Sequence, residues 1–375
     1  MATRGILGFI CLVLLCGILY AGLHPFHVPA NQVAWVANAD AVRFGEHGTI
    51  LSSTSFTPPP NGGTERSIEL WVQPGLIDDS NTLLAFYSSD SPRQLSLTQA
   101  ESDLEIRIQS SSAWRRAKTD RINIGDAFQD GKSAFWTVTF GLSGTAVYRD
   151  GVLVRRSPMT AASSEVSGRL VIGNSPIFSD GWSGVLRGLA IYDTALDPTQ
   201  IARHYLSWTT GKAPALTVDD VCIALYLFNE HGGRVVHNRV LSGNDLYIPP
   251  RYMVLRQTVL DPVWRAFNWS RGFWKDALIN VSGLMPLGFF FCAYFSARGL
   301  RAPALRASAL GAAVSVFIEL TQSHLPTRDS SMSDVINNIL GSVLGAAAYR
   351  GVLALALDQV ISWIVGVMNG ILEPD

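Results

Sequence analysis

The stretch DALINVSGLMPLGFFFCAYFSARGLRAPALRASALGAAVSVFIELTQSHLPTRDSSMSDVINNILGSVLGAAAYR, residues 276–350, decides how the rest of the chain is read. It strings together apolar segments of membrane-spanning character. At their ends and within them it carries Asp276, Asn280, Glu319, Gln322, Arg328, Asp334 and Asn338. An ionisable side chain in mid-bilayer costs roughly 2.5–3.5 kcal/mol on insertion scales, so a segment that keeps several of them is expected to use them.

The polar residues are ordered by topology. The first apolar run ends in the arginine-bearing turn Arg298-Gly-Leu-Arg301, with Arg306 soon after, and arginine-rich turns stay on the cytoplasmic side. The next run returns outward and ends at Glu319 and Gln322; residues 323–334 then form an outer loop, and the third run descends to Arg350. A last apolar run, residues 351–370, carries the chain back out, interrupted by Asp358. This order predicts that three polar pairs share the outer level: Asp276 with Asn280, Glu319 with Gln322, and Asp334 with Asn338. Spacings of three and four residues place each pair on one helix face. Arg328, in the outer loop, is expected to reach the carboxylates. Gly341 and Gly345 make a small-xxx-small pair that lets a helix approach its neighbour closely.

Working outward to the N-terminus, Gly5 to Leu23 is uncharged and long enough to cross about 30 Å of hydrocarbon. Arg4 precedes it, which predicts a cytoplasmic N-terminus and an outside location for the residues after Leu23. No small-x-small cleavage site comes after the run, so it reads as an uncleaved anchor rather than a signal peptide.

Between these ends lies a soluble middle. From Asn31 to about Trp208, short alternating runs such as SIELWVQPG (67–75), FWTVTFG (135–141) and TAVYRDGVLVRR (145–156) are broken by Gly, Pro, Asn and Asp. That pattern predicts an all-β sandwich. Asp150-Gly151, flanked by alternating apolar residues, predicts a two-residue hairpin turn of type I′. Asp197 and Pro198 predict the N-cap and first position of a helix. Residues 216–270 form a connector with a further β unit and a Trp-rich interfacial segment. The expected organisation is an anchor at 1–25, a sandwich at 31–215, this connector, and a membrane bundle at 271–371.

Composition excludes other classes. A formal charge of −1 over 375 residues argues against nucleic acid as the main partner, which would call for a basic face or stripe. The four cysteines form no CxxC pair or disulfide framework, which for an extracytoplasmic domain suggests a bacterial envelope.

Two resemblances are carried by these motifs. The middle resembles a concanavalin A-like lectin/glucanase domain of the laminin-G type, through AVRFGEHGTILSS, SIELWVQPG, the strand leading to YRDG, and GVLRGLAIYDTALDPTQIARHY. This resemblance implies a jelly-roll of two antiparallel sheets that often binds carbohydrate, sometimes with calcium. Glucan hydrolysis needs paired carboxylates, and the E-x-D-x-x-E strand that supplies them in the glucanase branch has no counterpart here. Trp114 and Trp182, in loop-like stretches, are the candidate sugar-stacking residues, and Asp150 and Asp180 the candidate calcium oxygens. The C-terminal block resembles the VanZ-like family, named after a teicoplanin-resistance protein, through Asp276 and Asn280 before MPLGF, IELTQ, LPTR and SDVINNILGSVLG. In that family the stretch joining the first two spans is usually short; here the sandwich occupies it.

The expectation is therefore a multi-domain chain: an all-β concanavalin A-like jelly-roll sandwich plus an α-helical transmembrane bundle, in the inner membrane, with carbohydrate or envelope polymer and the lipid bilayer as partners. Two other readings stand beside glycan binding. One is an intramembrane enzyme with Glu319, Asp334 or Asp276 as acid or base and Arg328 holding a phosphate. The other is a structural bundle whose polar residues tie the helices together.

Overall fold

The computed structural model describes residues 2–57, 65–78, 80–89, 93–110, 120–162, 164–210, 217, 220–240, 243–257, 259–263 and 271–351. Trp114 and the last apolar run, from residue 352 onward, lie outside the described residues. The chain divides into two units, Val28–Arg256 on one hand and Met1–His27 with Gln257–Asp375 on the other.

The unit Val28–Arg256 is a sandwich of two antiparallel sheets. One runs in the order β1 (Val33–Trp35), β2 (Val42–Phe44), β13 (Gly184–Tyr192), β4 (Arg66–Pro74), β9 (Ala134–Gly141), β10 (Gly144–Arg149), β11 (Val152–Ser157), and β14 (Cys222–Tyr226) also pairs with β13. The other runs β15 (Val235–Val236), β16 (Leu246–Tyr247), β3 (Ile50–Phe56), β12 (Gly168–Ile172), β5 (Ser80–Tyr87), β6 (Arg93–Ala100), β7 (Asp103–Ser110), β8 (Asp120–Ile124). Leu70, Trp136, Val138 and Phe140 from the first sheet meet Leu84, Phe86, Leu97 and Ile106 from the second in the core.

The first sheet is covered on its other face as well. Helix α2 (Pro198–Thr209) lies over it, packing Ile201 and Trp208 with Phe135, Tyr148, Ala190 and Tyr192 in a second apolar cluster. Burial on both faces is why SIELWV and AFWTVTF are nearly continuously buried where a one-faced strand would alternate. Asp197 caps α2 by accepting from the Thr199 and Gln200 N–H groups, and the Gln200 side chain accepts in turn from the Asp197 N–H. The β10–β11 hairpin turns through Asp150 at φ +52° and Gly151 at φ +78°, the two positive values a type I′ turn requires.

The membrane unit contains α1 (Ala2–Leu23), α3 (Arg271–Ala297), α4 (Pro303–Gln322) and α5 (Met332–Arg350). Among the described residues, three helical segments are long and apolar enough to cross a membrane: Arg4–Leu23, Phe273–Ala297 and Pro303–Gln322. Helix α5 packs on α3 backbone to backbone. A Cβ on Gly341 would stand 2.1 Å from the Val281 carbonyl oxygen, and one on Gly345 1.9 Å from that of Met285, distances no side chain tolerates. Deeper still, Ser342 fills the space above Gly311, whose Cβ would meet the Ser342 Oγ at 2.2 Å.

Candidate functional site

In the membrane unit the polar stripes of α3, α4 and α5 meet. Asn280 Nδ2 donates to Asp334 Oδ1 at 2.6 Å, joining α3 to the first turn of α5. Glu319, only 2% exposed, accepts the Ser331 N–H at 2.8 Å, and Ser331 is itself the N-cap of α5. Both carboxylates thus sit at the positive end of a helix, where negative charge is favoured. One turn farther along, Asn338 Nδ2 donates to Ser315 Oγ at 3.1 Å, and one turn beyond that Ser342 Oγ donates to the Ala307 carbonyl at 3.2 Å. Asp276 is exposed, within electrostatic reach of Asp334.

Gln322 and Arg328 belong to a different contact. Gln322 Nε2 donates to the Gly22 carbonyl at 2.7 Å, and an Arg328 Nη donates to the His24 carbonyl, so both fasten the end of α1. Among the described residues Arg328 forms no ion pair with Glu319, Asp334 or Asp276, contrary to the expectation that it reaches them. The reason is local: the end of α1 leaves carbonyls without intrahelical donors, and they take the nearest side-chain donors. With one Nη so engaged, Arg328 is not paired with the carboxylates among the described residues, and the cluster itself is acidic and amide-rich.

In the sandwich, Trp182 is 2% exposed. Its Nε1 donates to Gln99 Oε1 at 2.7 Å and its ring lies 5.8 Å from that of Phe44. A ring so enclosed cannot stack on a sugar, which corrects the expectation for this residue. The small residues around it made it look like a loop tryptophan; in fact Gly184 is what admits the ring, since a Cβ there would stand 2.3 Å from it. The two candidate calcium aspartates are engaged within the protein. Asp150 Oδ1 accepts the Phe135 N–H at 3.0 Å, and Asp180 Oδ2 accepts from Thr82 Oγ1 at 2.5 Å. Burial pushes the Asp180 carboxyl up despite that bond and the nearby Arg107. No three His, Cys, Asp or Glu side chains converge as metal ligands among the described residues.

The sandwich also holds a charged network that the sequence reading did not anticipate. His204 of α2 is fully buried between Glu69 of β4, with Nδ1 to Oε1 at 2.9 Å, and Asp220, with Nε2 to Oδ2 at 3.4 Å. Glu69 Oε2 accepts from Tyr192 Oη at 2.7 Å and Trp208 Nε1 at 3.2 Å. Asp220 Oδ1 accepts from Gln200 Nε2 at 2.9 Å and from Arg203 at 2.5 Å. Burial works against a charged His204, but the Glu69 hydrogen bond and the charges of Glu69 and Asp220 outweigh it and hold the imidazole above its ordinary pKa. Burial alone would raise Asp220, yet the Thr217 N–H and His204 bring it below the usual carboxylate value. A glutamate amid the apolar run SIELWV was the one sign of this network in the sequence.

Two family models match successive parts of the chain. Residues 222–355 match the VanZ/LLP1 family model. Residues 45–202 match the concanavalin A-like lectin/glucanases superfamily model. The chain is thus a lectin-like sandwich joined to a VanZ-like block, with apolar candidate spans. The VanZ-like match begins at Cys222, inside the strands that complete the sandwich, and extends through α5. No curated protein matches the chain. Among solved structures, a heptameric SAP-like pentraxin from Limulus polyphemus is similar at 13% identity over 59% of this chain and 93% of its own, with a TM-score of 0.34. The ligand binding domain of botulinum neurotoxin serotype D, in complex with N-acetylneuraminic acid, is similar at 13% identity over 48% of this chain and 46% of its own, with a TM-score of 0.36. This chain therefore spans less than half of that neurotoxin domain. At such values no functional residue carries over from either protein to the lectin-like sandwich.

Proposed function

We propose that this protein is a bacterial inner-membrane protein of the cell envelope whose lectin-like sandwich binds a glycan on the extracytoplasmic side, while the VanZ-like bundle holds associated lipid-linked or polymeric material. One observation carries the reading: the lectin-like segment, 45–202, lies in the chain between two candidate spans, Arg4–Leu23 and Phe273–Ala297. Both ends of the sandwich are therefore tied to membrane segments. Arg4 before the first span and Arg298, Arg301 and Arg306 after the second support an outside location for the intervening domain under the positive-inside rule. Retention of an envelope polymer at the membrane surface is what such an arrangement supports. Trp114 is the aromatic residue proposed to stack on sugar.

The test compares membranes carrying the full chain with membranes carrying a chain in which residues 28–256 are replaced by a short Gly/Ser linker. Incubated with labelled envelope polysaccharide, the full chain should retain it and the shortened chain should not. Equal retention by both would sink the proposal. Trp114→Ala in the full chain should weaken retention at unchanged abundance. The alternative reading, an intramembrane enzyme acting on a phosphorylated intermediate, draws no support from Arg328, which is held by the His24 carbonyl.

A further inference from the structure

The geometry points to a binding site for a primary ammonium group in the VanZ-like unit, formed by Glu319, Asp334 and Asn338. This site is independent of whether the sandwich binds glycan. Its first support is charge. Asp334 lies within electrostatic reach of Glu319, Asp276 and Asp329, and Arg328 is turned to the His24 carbonyl. Among the described residues no ion pair reaches Glu319 or Asp334. The charged groups that act on Asp334 are acidic, which favours a cation over phosphate.

The second support is unfilled acceptor capacity. A carboxylate accepts about four hydrogen bonds. Glu319 receives the Ser331 N–H and the Ser330 side chain, and Asp334 receives Asn280. Asn338 is only 5% exposed, and with its Nδ2 committed to Ser315 its Oδ1 has no partner. Asn338 lies one turn from Asp334 on α5, and Ser315 one turn from Glu319 on α4, so helix spacing puts Asn338 on the same face as Asp334, at the α4–α5 contact that Glu319 also enters. Ser333, 7% exposed, likewise leaves its Oγ without a partner. An unsatisfied buried polar atom costs about 1–3 kcal/mol and calls for a ligand donor.

The third support is the match between this set and one ligand class. Glu319, Asp334 and Asn338 Oδ1 are three acceptors on two helices, and a primary ammonium has three N–H donors. A quaternary ammonium has none. No three His, Cys, Asp or Glu side chains converge among the described residues, so a metal ion here would have two carboxylates and one amide oxygen as its protein ligands. Beyond Asn338 the interface closes, with Ser342 packed against Gly311 and Gly288, so the group enters from the end that carries Asp276 and Asp329. An ethanolamine-type lipid headgroup and a soluble amine, such as an amino sugar, share this chemistry.

The test uses the full chain in nanodiscs of phosphatidylcholine, monitored by thermal unfolding. Ethanolamine added to solution, or phosphatidylethanolamine added to the bilayer, should raise Tm by several degrees through binding to the folded state. Tetramethylammonium at the same concentration should not. A response to the lipid alone identifies a headgroup site, and a response to the soluble amine alone identifies a non-lipid ligand; either supports the proposal. Asp334→Asn and Glu319→Gln, which keep side-chain shape, should each weaken the response at least tenfold in amine concentration. No response to either amine, an equal response to tetramethylammonium, or a response undiminished in both variants would overturn it. Should a variant fail to fold, the comparison of amines on the unaltered chain still decides.

Discussion

His204 Nδ1 lies 2.9 Å from Glu69 Oε1 with both side chains fully buried, while its Nε2 faces Asp220 Oδ2 at 3.4 Å. An imidazole that faces a carboxylate on each side donates to both only when it is protonated. The groups packed around it are Glu69 from β4, Asp220 from the entry to β14, Tyr192 from β13, stacked on its ring, and Arg203 of its own helix. The helix α2 is thus clamped to the sheet by a charged contact, and that contact titrates.

Acid and alkali act on different members of this clamp. The folded-state pKa of His204 is raised, so its stabilisation is complete below the ordinary imidazole value of about 6.5 and is lost as pH rises through the raised value. Asp220 is lowered, so its contribution is complete above the ordinary carboxylate value and is lost as pH falls through the lowered one. The sandwich should therefore melt at its highest temperature on the mildly acidic side of neutrality and lose stability toward alkaline pH. Near-UV circular dichroism of the full chain across this range checks the trend, and His204→Gln should flatten its alkaline limb. A Tm that climbs steadily from about pH 6 to about pH 8.5 would contradict it.

Replacing Glu69 should cost more than any exposed substitution in the sandwich. Glu69→Leu strands the Tyr192 hydroxyl, the Trp208 indole N–H and His204 Nδ1, all of which donate to it. Breaking a buried charged contact by removing one partner costs about 3–5 kcal/mol. Chemical denaturation should report that loss together with early release of α2, seen as quicker proteolysis around residues 198–209.

Trp182→Ala should destabilise by about 3–5 kcal/mol, the range for deleting a large buried aromatic. Glycan retention per folded molecule should stay unchanged, because the ring lies in the core beside Phe44 and not on a surface. A selective loss of retention at full stability would reinstate Trp182 as a binding residue.

In the membrane unit, Gly345→Val should destabilise the folded state in detergent by about 2 kcal/mol or more, since its Cβ would sit 1.9 Å from the Met285 carbonyl oxygen. Gly283→Ala is the contrasting case. A Cβ there meets nothing within 4 Å and Ala is the better helix former, so the change should be neutral or stabilising by up to about 1 kcal/mol. Size-exclusion profiles of the two variants in the same detergent distinguish them.

Features that depend on near neighbours were legible in the sequence. The Asp150-Gly151 turn, the Asp197 cap and the spacing of Asp334 with Asn338 are local patterns, and the structure carries each of them. Features that escaped depend on partners far apart in the chain. Glu69 and His204 are separated by 135 positions, and neither residue alone announces a buried charge. Trp182 stands among small polar residues, so its burial is set by Phe44 and Gln99, which local composition does not contain. Arg328 was expected to balance the carboxylates on charge alone, but the open carbonyl at His24 was invisible until the end of α1 had a place.

The strands β14 and β16 come after α2 and complete the sandwich from outside the lectin-like segment: β14 pairs with β13, and β16 with β3. A protein cut after residue 215 would keep nearly all of its core while baring the backbone of β3 and of the second half of β13. Open edges of this kind recruit strands from other copies. Such a fragment should self-associate as it is made, and exchange of the lectin-like module between proteins should succeed only when the cut falls beyond Tyr247.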